Sequence, residues 1–182
     1  MKKIYLNDRF CLTAKFLMGE ISLVVDDVLD AAEGRESVDR DGRYFVFPDG
    51  EKWHTRFAEG DSVVVKTSYE KAGLDKRVYG DSKGWRNRRC TNEKYLPYRM
   101  VVEGVRCVRV QDLTEEEMLR AGVHRGGNSS YMVGGEIGGW SADCKEMFAR
   151  MFNAWSKVPW EENPWVIVYD VTPVGVGLAR SL

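Results

Sequence analysis

The chain has 182 residues, 43% of them apolar and 30% charged, and a formal net charge of −1. Those values suit one globular domain with or without insertions, and the charge alone does not mark a nucleic-acid binder. No apolar run reaches membrane-spanning length, so no membrane partner is expected.

In chain order, Lys3–Leu6 reads as a short opening strand, and 11–18 has a helical pattern that Gly19 ends. Ile21–Val25 is a β-prone run stopped by Asp26-Asp27. Val28, Leu29 and Ala32 fit one or two amphipathic helical turns in an acidic stretch. Arg43–Phe47 and Trp53–Phe57 pair as a hairpin around Pro48-Asp49-Gly50. Ser62–Ser68 (SVVVKTS) is a clear β-branched strand with the character of a central one. Tyr69–Gly73 is a turn, and Leu74–Thr91, low in apolar residues, is a long surface loop.

Tyr95–Gly122 is the stretch around which the chain is organised: strand, turn at Glu103-Gly104, second strand, then a helix. Thr114 and Glu117 form a capping box, and Gly122 stops the helix in a left-handed conformation. The glycine-rich segment 124–139 is irregular. Ser141–Ser156 is a long amphipathic helix with Ser141 as cap, and Trp165–Val171 is a closing strand. Together these elements predict an α+β fold, a curved sheet or pseudo-barrel with flanking helices. One domain spans 1–182, with insertions at about 26–57, 74–94 and 124–139.

Charge is unevenly spread. Lys83–Arg109 carries eight basic residues against Glu93 and Glu103, whereas 20–51 carries ten acidic residues against three arginines. Within the basic run, Arg86, Arg88, Arg89, Lys94 and Arg99 suit phosphates, and Trp85, Tyr95 and Tyr98 suit stacking on unpaired bases. A solvated surface loop is the alternative reading of the same residues.

The four cysteines, at 11, 90, 107 and 144, have neither metal-site nor redox spacing. Reduced thiols in a cytoplasmic protein are expected, with no metal and no cofactor. The paired glycines lack a phosphate-loop lysine. For catalysis the weak candidates that the residues themselves offer are Lys66, at a strand end with the hydroxyls of Thr67 and Ser68, and the carboxylate of Glu103, which would have to converge.

Two blocks, VEGVRCVRVQDLTEEEMLRAGV (102–123) and MFARMFNAWSKVPWEENPWVIVYDV (147–171), resemble the ASCH proteins of bacteria and phages, a branch of the PUA-like fold. The matching residues are Val108, Val110–Leu113, Glu115, Glu116 and Gly122, then Trp160, Glu161 and Asn163–Val166. GDSVVVKTSYEKAG (60–73) is similar to a further family segment. The resemblance implies a twisted pseudo-barrel with helices at its rim and a cleft for RNA or a modified nucleoside. Some small relatives hydrolyse an acetylated cytidine with a lysine, a threonine and a glutamate.

By register with that family, Ile21 stands at the lysine, Ser22 at the first threonine and Val24 at the second, with Val25 and Asp26 at an arginine pair. An aliphatic side chain has no proton to transfer, so the resemblance implies an RNA- or nucleotide-binding domain without amidohydrolase chemistry. Single-stranded RNA or a modified nucleoside is the expected partner. The alternatives are a hydrolase of a modified nucleoside and a phage-associated protein-interaction module.

Overall fold

Two long antiparallel strands carry the fold in the computed structural model, which describes residues 1–6, 12, 15, 20–29, 39–41, 44–46, 50, 52–134 and 139–175. In chain order the strands are β1 (Lys3–Ile4), β2 (Leu23–Leu29), β3 (Asp39–Asp41), β4 (Tyr44–Val46), β5 (Lys52–His54), β6 (Ser62–Val65) and β7 (Arg99–Arg109). They continue with β8 (His124–Arg125), β9 (Tyr131–Met132), β10 (Trp140–Ser141) and β11 (Trp165–Val174). The helices are α1 (Lys76–Tyr79), α2 (Glu115–Arg120) and α3 (Cys144–Asn153). Leu12 and Lys15 are helical, as the 11–18 pattern predicts; the rest of that stretch lies outside the described residues, as does Ala32.

The main sheet has the order β1-β6-β7-β11-β2, with β1 parallel to β6 and the other pairs antiparallel. The strand after Asn163-Pro164 was expected to close the sheet at its edge. Instead β11 is interior, hydrogen-bonded to β7 on one side and β2 on the other. Its Trp165–Tyr169 run is buried throughout, as a strand covered on both faces must be. Among the described residues β1 and β2 do not pair, so the sheet is not a closed barrel.

Even and odd residues of β11 serve different cores. Val166 and Val168 pack with Phe148, Met151 and Phe152 of α3 and Met118 of α2. Ile167, Tyr169 and Val171 pack on the other face with Val63, Val65, Met100 and Val102. Such alternation requires that the partner strand stay in phase. On β7 the phase changes: Met100 and Val102 join the second core, and so do Val105 and Cys107.

A β-bulge resolves the mismatch. Asp170 pairs with Gly104 and Val171 with Val102, so Glu103 has no opposite residue. The break in pattern at Glu103-Gly104 is thus a bulge within one eleven-residue strand, not a turn between two strands. β2 repeats the device. Val166 pairs with Val28 and Ile167 with Asp26, which leaves Asp27 as the extra residue. The acidic pair therefore does not stop the strand, and Val28 and Leu29 are strand rather than helix.

Other elements follow their local signals. Thr114 and Glu117 form the capping box of α2, and Gly122 has φ +120°. The β4–β5 hairpin pairs Tyr44 with His54. α3 is capped by Asp143 rather than Ser141, whose Oγ accepts instead from the Asp143 amide. Within 124–139, expected to be irregular, β8 and β9 pair, and β10 joins them in a small antiparallel sheet; residues 135–138 lie outside the described residues.

The segments 102–123 and 147–171 meet in space. Asn163, left-handed at φ 47°, accepts from the Gln111 amide through Oδ1 at 3.0 Å and from Arg109 through its carbonyl at 2.9 Å. Gln111 donates to the Trp160 carbonyl, and the Val110 amide to the Pro164 carbonyl. The exit of β7 is thereby tied to the entrance of β11.

Candidate nucleic-acid interface

The basic loop is anchored at both ends by apolar residues. Trp85 packs partly buried against the core, while Leu96 and Tyr98 are 1% and 4% exposed. Between them the backbone is zipped to the turn after β6. The Tyr69 amide donates to the Gly84 carbonyl and the Glu70 amide to the Trp85 carbonyl, each at 3.1 Å. A Cβ on Gly84 would lie 2.6 Å from Cε2 of Tyr69, so this close approach requires glycine. Asn87 caps a 3-10 turn at Arg88–Cys90, Asn92 caps another at Glu93–Tyr95, and the Tyr69 hydroxyl accepts from the Asn92 amide. The segment expected as a surface loop, Leu74–Thr91, is thus a built structure with α1 and the Arg88–Cys90 turn inside it and the Glu93–Tyr95 turn just after it.

Lys66 explains how the far end is held. Its side chain is 1% exposed, and its ammonium donates to the Thr91 carbonyl and, at 3.1 Å, to Glu93 Oε1. Glu93 also takes a hydrogen bond from Lys3 at 2.9 Å. Its carboxyl is held down at about 2 by the Lys3 hydrogen bond first, then by its own backbone amide and by Lys66. Buried and bonded in this way, Lys66 anchors the loop to the sheet.

The zipped segments enclose a cup of about 290 Å³, lined by Ser68, Lys71, Arg86, Asn87, Arg88 and Arg89. Four of its six lining residues are cations and none is a carboxylate. Arg86 and Arg89 are exposed, and the Glu70 carboxylate lies 3.9 Å from Arg86 with both partners in solvent, where such a pair is weak.

Arg88 has a second role. It also lines a larger, mainly apolar cavity of about 320 Å³ beside β2. The inner wall of that cavity includes Ile4, Leu6, Ile21, Leu23 and Val24, with Phe148 and Met151 of α3 and Trp155 just after it. Tyr5 and Arg56, both exposed, mark its solvent side. The Arg88 guanidinium donates to the Leu6 carbonyl at 2.7 Å and lies 5.4 Å from the Tyr5 ring centre, and Arg88 lines both cavity and cup.

The remaining sequence-predicted residues separate. Lys94 is exposed at its turn, and the Arg99 guanidinium reaches Met1 Sδ at 3.2 Å. Tyr95 is 45% exposed and makes a tilted contact with Tyr79, which in turn contacts Tyr69, so part of its ring is open to solvent. Tyr98 offers no such face, since its ring is in the core and its hydroxyl points to the Ala72 carbonyl. Trp85 is likewise a core-packing residue before it is a platform.

Ser22, Lys66 and Glu103 sit in three different settings. Ser22 precedes β2, where its Oγ and carbonyl both accept from Arg120 at 3.0 Å. Arg120 also donates to Asp170 at 2.7 Å, and Asp170 pairs with Arg106, which ties α2 to the sheet. Glu103 is exposed in the β7 bulge.

Sequence reasoning missed Lys71, Tyr5 and Arg56, each common in type and isolated in sequence from the basic run. It also missed Lys15, 3% exposed, whose ammonium donates to the Gly122 carbonyl. The one available signal was a lysine inside an otherwise apolar helical pattern.

Among the described residues no helix is long and apolar enough to cross a membrane, and no three His, Cys, Asp or Glu side chains converge as a metal site would need. No family model, no curated protein and no solved structure matches this chain.

Proposed function

We propose that this chain is an ASCH-type domain of the PUA-like fold that binds single-stranded RNA or a nucleotide-like ligand and carries out no amide hydrolysis. The single observation that supports it is the adjacency of an apolar cavity and a basic cup across one arginine, Arg88. A nucleotide has a flat, weakly polar base and an anionic phosphate a few ångströms away. An apolar cavity with Tyr5 and Trp155 in its wall suits the former, and the cup suits the latter.

The resemblance puts its ligand cleft beside residues 20–26, where this cavity lies. Ile21 and Val24, the positions of the family's lysine and second threonine, are in the cavity wall at 2% and 7% exposure. Hydrocarbon there removes the proton transfer that amide hydrolysis needs, while leaving a surface on which a base can rest. The tie between Gln111 and Asn163 supports the kinship in another way, because it gives the two similar blocks a shared structural task.

Titration of the protein with a labelled single-stranded RNA pool tests the proposal. Binding at low salt is expected to weaken as salt rises, with a log–log slope of about −0.7 for each phosphate neutralised. The double variant Arg86→Ala/Arg89→Ala is expected to bind more weakly and with a shallower slope. A pool that fails to bind at low salt sinks the proposal. Acetylated cytidine is expected to remain intact on prolonged incubation with the protein.

A further inference from the structure

We infer that the cup recognises a terminal phosphate monoester, so that the ligand is held by its phosphorylated end and not along its backbone; the inference rests on the nucleotide-binding reading above. Its basis is where the cations go. An extended strand of diesters is followed by a stripe of positive charge. Here the basic run does not make a stripe. Lys71 comes from the turn after β6 and Arg86, Arg88 and Arg89 from the loop, and these four converge on one concavity. Three others of the run lie elsewhere. Arg99 reaches Met1, Arg106 pairs with Glu117 and Asp170, and Arg109 lies 4.7 Å from the Trp165 ring centre.

Convergent charge favours a group that is itself concentrated. A monoester carries between −1.5 and −2 near neutral pH and three strong acceptor oxygens, whereas a diester carries one charge and offers two. The cup has donors to match from several directions. Ser68 is 4% exposed, and its Oγ already accepts from the Lys71 amide at 3.2 Å, which leaves its O–H as a donor. The cup is also preorganised, because the Tyr69–Gly84 and Glu70–Trp85 backbone bonds fix one wall against the other. Since Arg88 lines both cup and cavity, a base attached to a phosphate in the cup would be directed to the apolar wall.

The test compares short single-stranded RNAs of one sequence with a 5′-phosphate, a 3′-phosphate or hydroxyls at both ends, alongside a nucleoside monophosphate and its nucleoside. One phosphorylated RNA is expected to bind about tenfold or more tighter than the hydroxyl-ended RNA, the effect of one or two charge-assisted hydrogen bonds. That gain is expected to vanish in Lys71→Ala and in Arg89→Ala and to persist in Lys94→Ala, with thermal melts checking that each variant is folded. Equal binding of all three RNAs overturns the inference and leaves RNA binding standing. A gain that survives both cup variants also overturns it. If the monophosphate binds in preference to its nucleoside and no RNA binds, the phosphate site stands and the RNA partner falls. If nothing binds, both fall.

Discussion

The apolar cavity beside β2 and the basic cup beyond Arg88 are neighbours, yet they are built from opposite materials. The cavity is walled by core side chains of both packing layers, several of them under 5% exposed. The cup is walled mostly by exposed charged residues on turns whose backbones are bonded to one another, with Arg88 held in addition by the Leu6 carbonyl. The difference teaches where change is tolerated. Substitutions in the cavity are expected to alter folding, whereas substitutions at the exposed cup residues are expected to leave the fold nearly unchanged, and on the proposed function both would alter binding.

The largest expected effect tests that contrast directly. Phe148→Ala removes a buried ring shared by core and cavity wall and is expected to cost about 3–5 kcal/mol in urea denaturation. Arg89→Ala is expected to stay within about 0.5 kcal/mol of wild type. Equal destabilisation by the two would break the comparison.

Lys66 is the sharper case, because it is a cation of the same region that belongs to the core. Lys66→Ala leaves a cavity and removes two hydrogen bonds from an ammonium, with an expected loss of about 2–3 kcal/mol. Hydrogen exchange at 88–92 should accelerate in that variant even where the sheet remains protected. Unchanged exchange there would show that the loop does not depend on Lys66.

Gly84→Ala pushes a methyl group against Tyr69 and is expected to cost about 1–3 kcal/mol. It should also weaken binding of phosphorylated RNA, since it separates the two walls of the cup. Retention of full affinity would mean that the cup does not need its walls zipped.

The smallest effect is one of pH. The folded-state carboxyl of Glu93 titrates at about 2, below its ordinary 4.5. A depressed carboxylate contributes stability that is complete above pH 4.5 and is lost as pH falls toward 2. Wild type should therefore lose stability more steeply than Glu93→Gln across that window in urea midpoints. Parallel curves would remove Glu93 from the account of how the loop is anchored.

Elements with strong local signals were legible in the sequence. The Thr114–Glu117 box, the stripe of α3, the β4–β5 hairpin and the β-branched run of β6 depend on neighbours in the chain, and each forms where its pattern lies. Glu103-Gly104 and Asp26-Asp27 show where local signals misled. Each breaks the alternation, and a break in alternation has two solutions, a turn or a bulge. Only the partner strand β11, distant in sequence, selects the bulge.

The same holds for the candidate site. Sequence alone determined that Arg86, Arg88 and Arg89 form a dense cationic loop, that the chain is α+β, and that Ile21 and Val24 cannot move a proton. Tertiary structure decided that β11 is interior, that Tyr98 is core, that Lys66 is an anchor, and that Lys71 and Ser68 complete a cup with the arginines. The physical reason is that composition and periodicity act over a few residues. Burial, charge pairing and concavity arise between segments whose approach is set by the pairing of β6, β7 and β11.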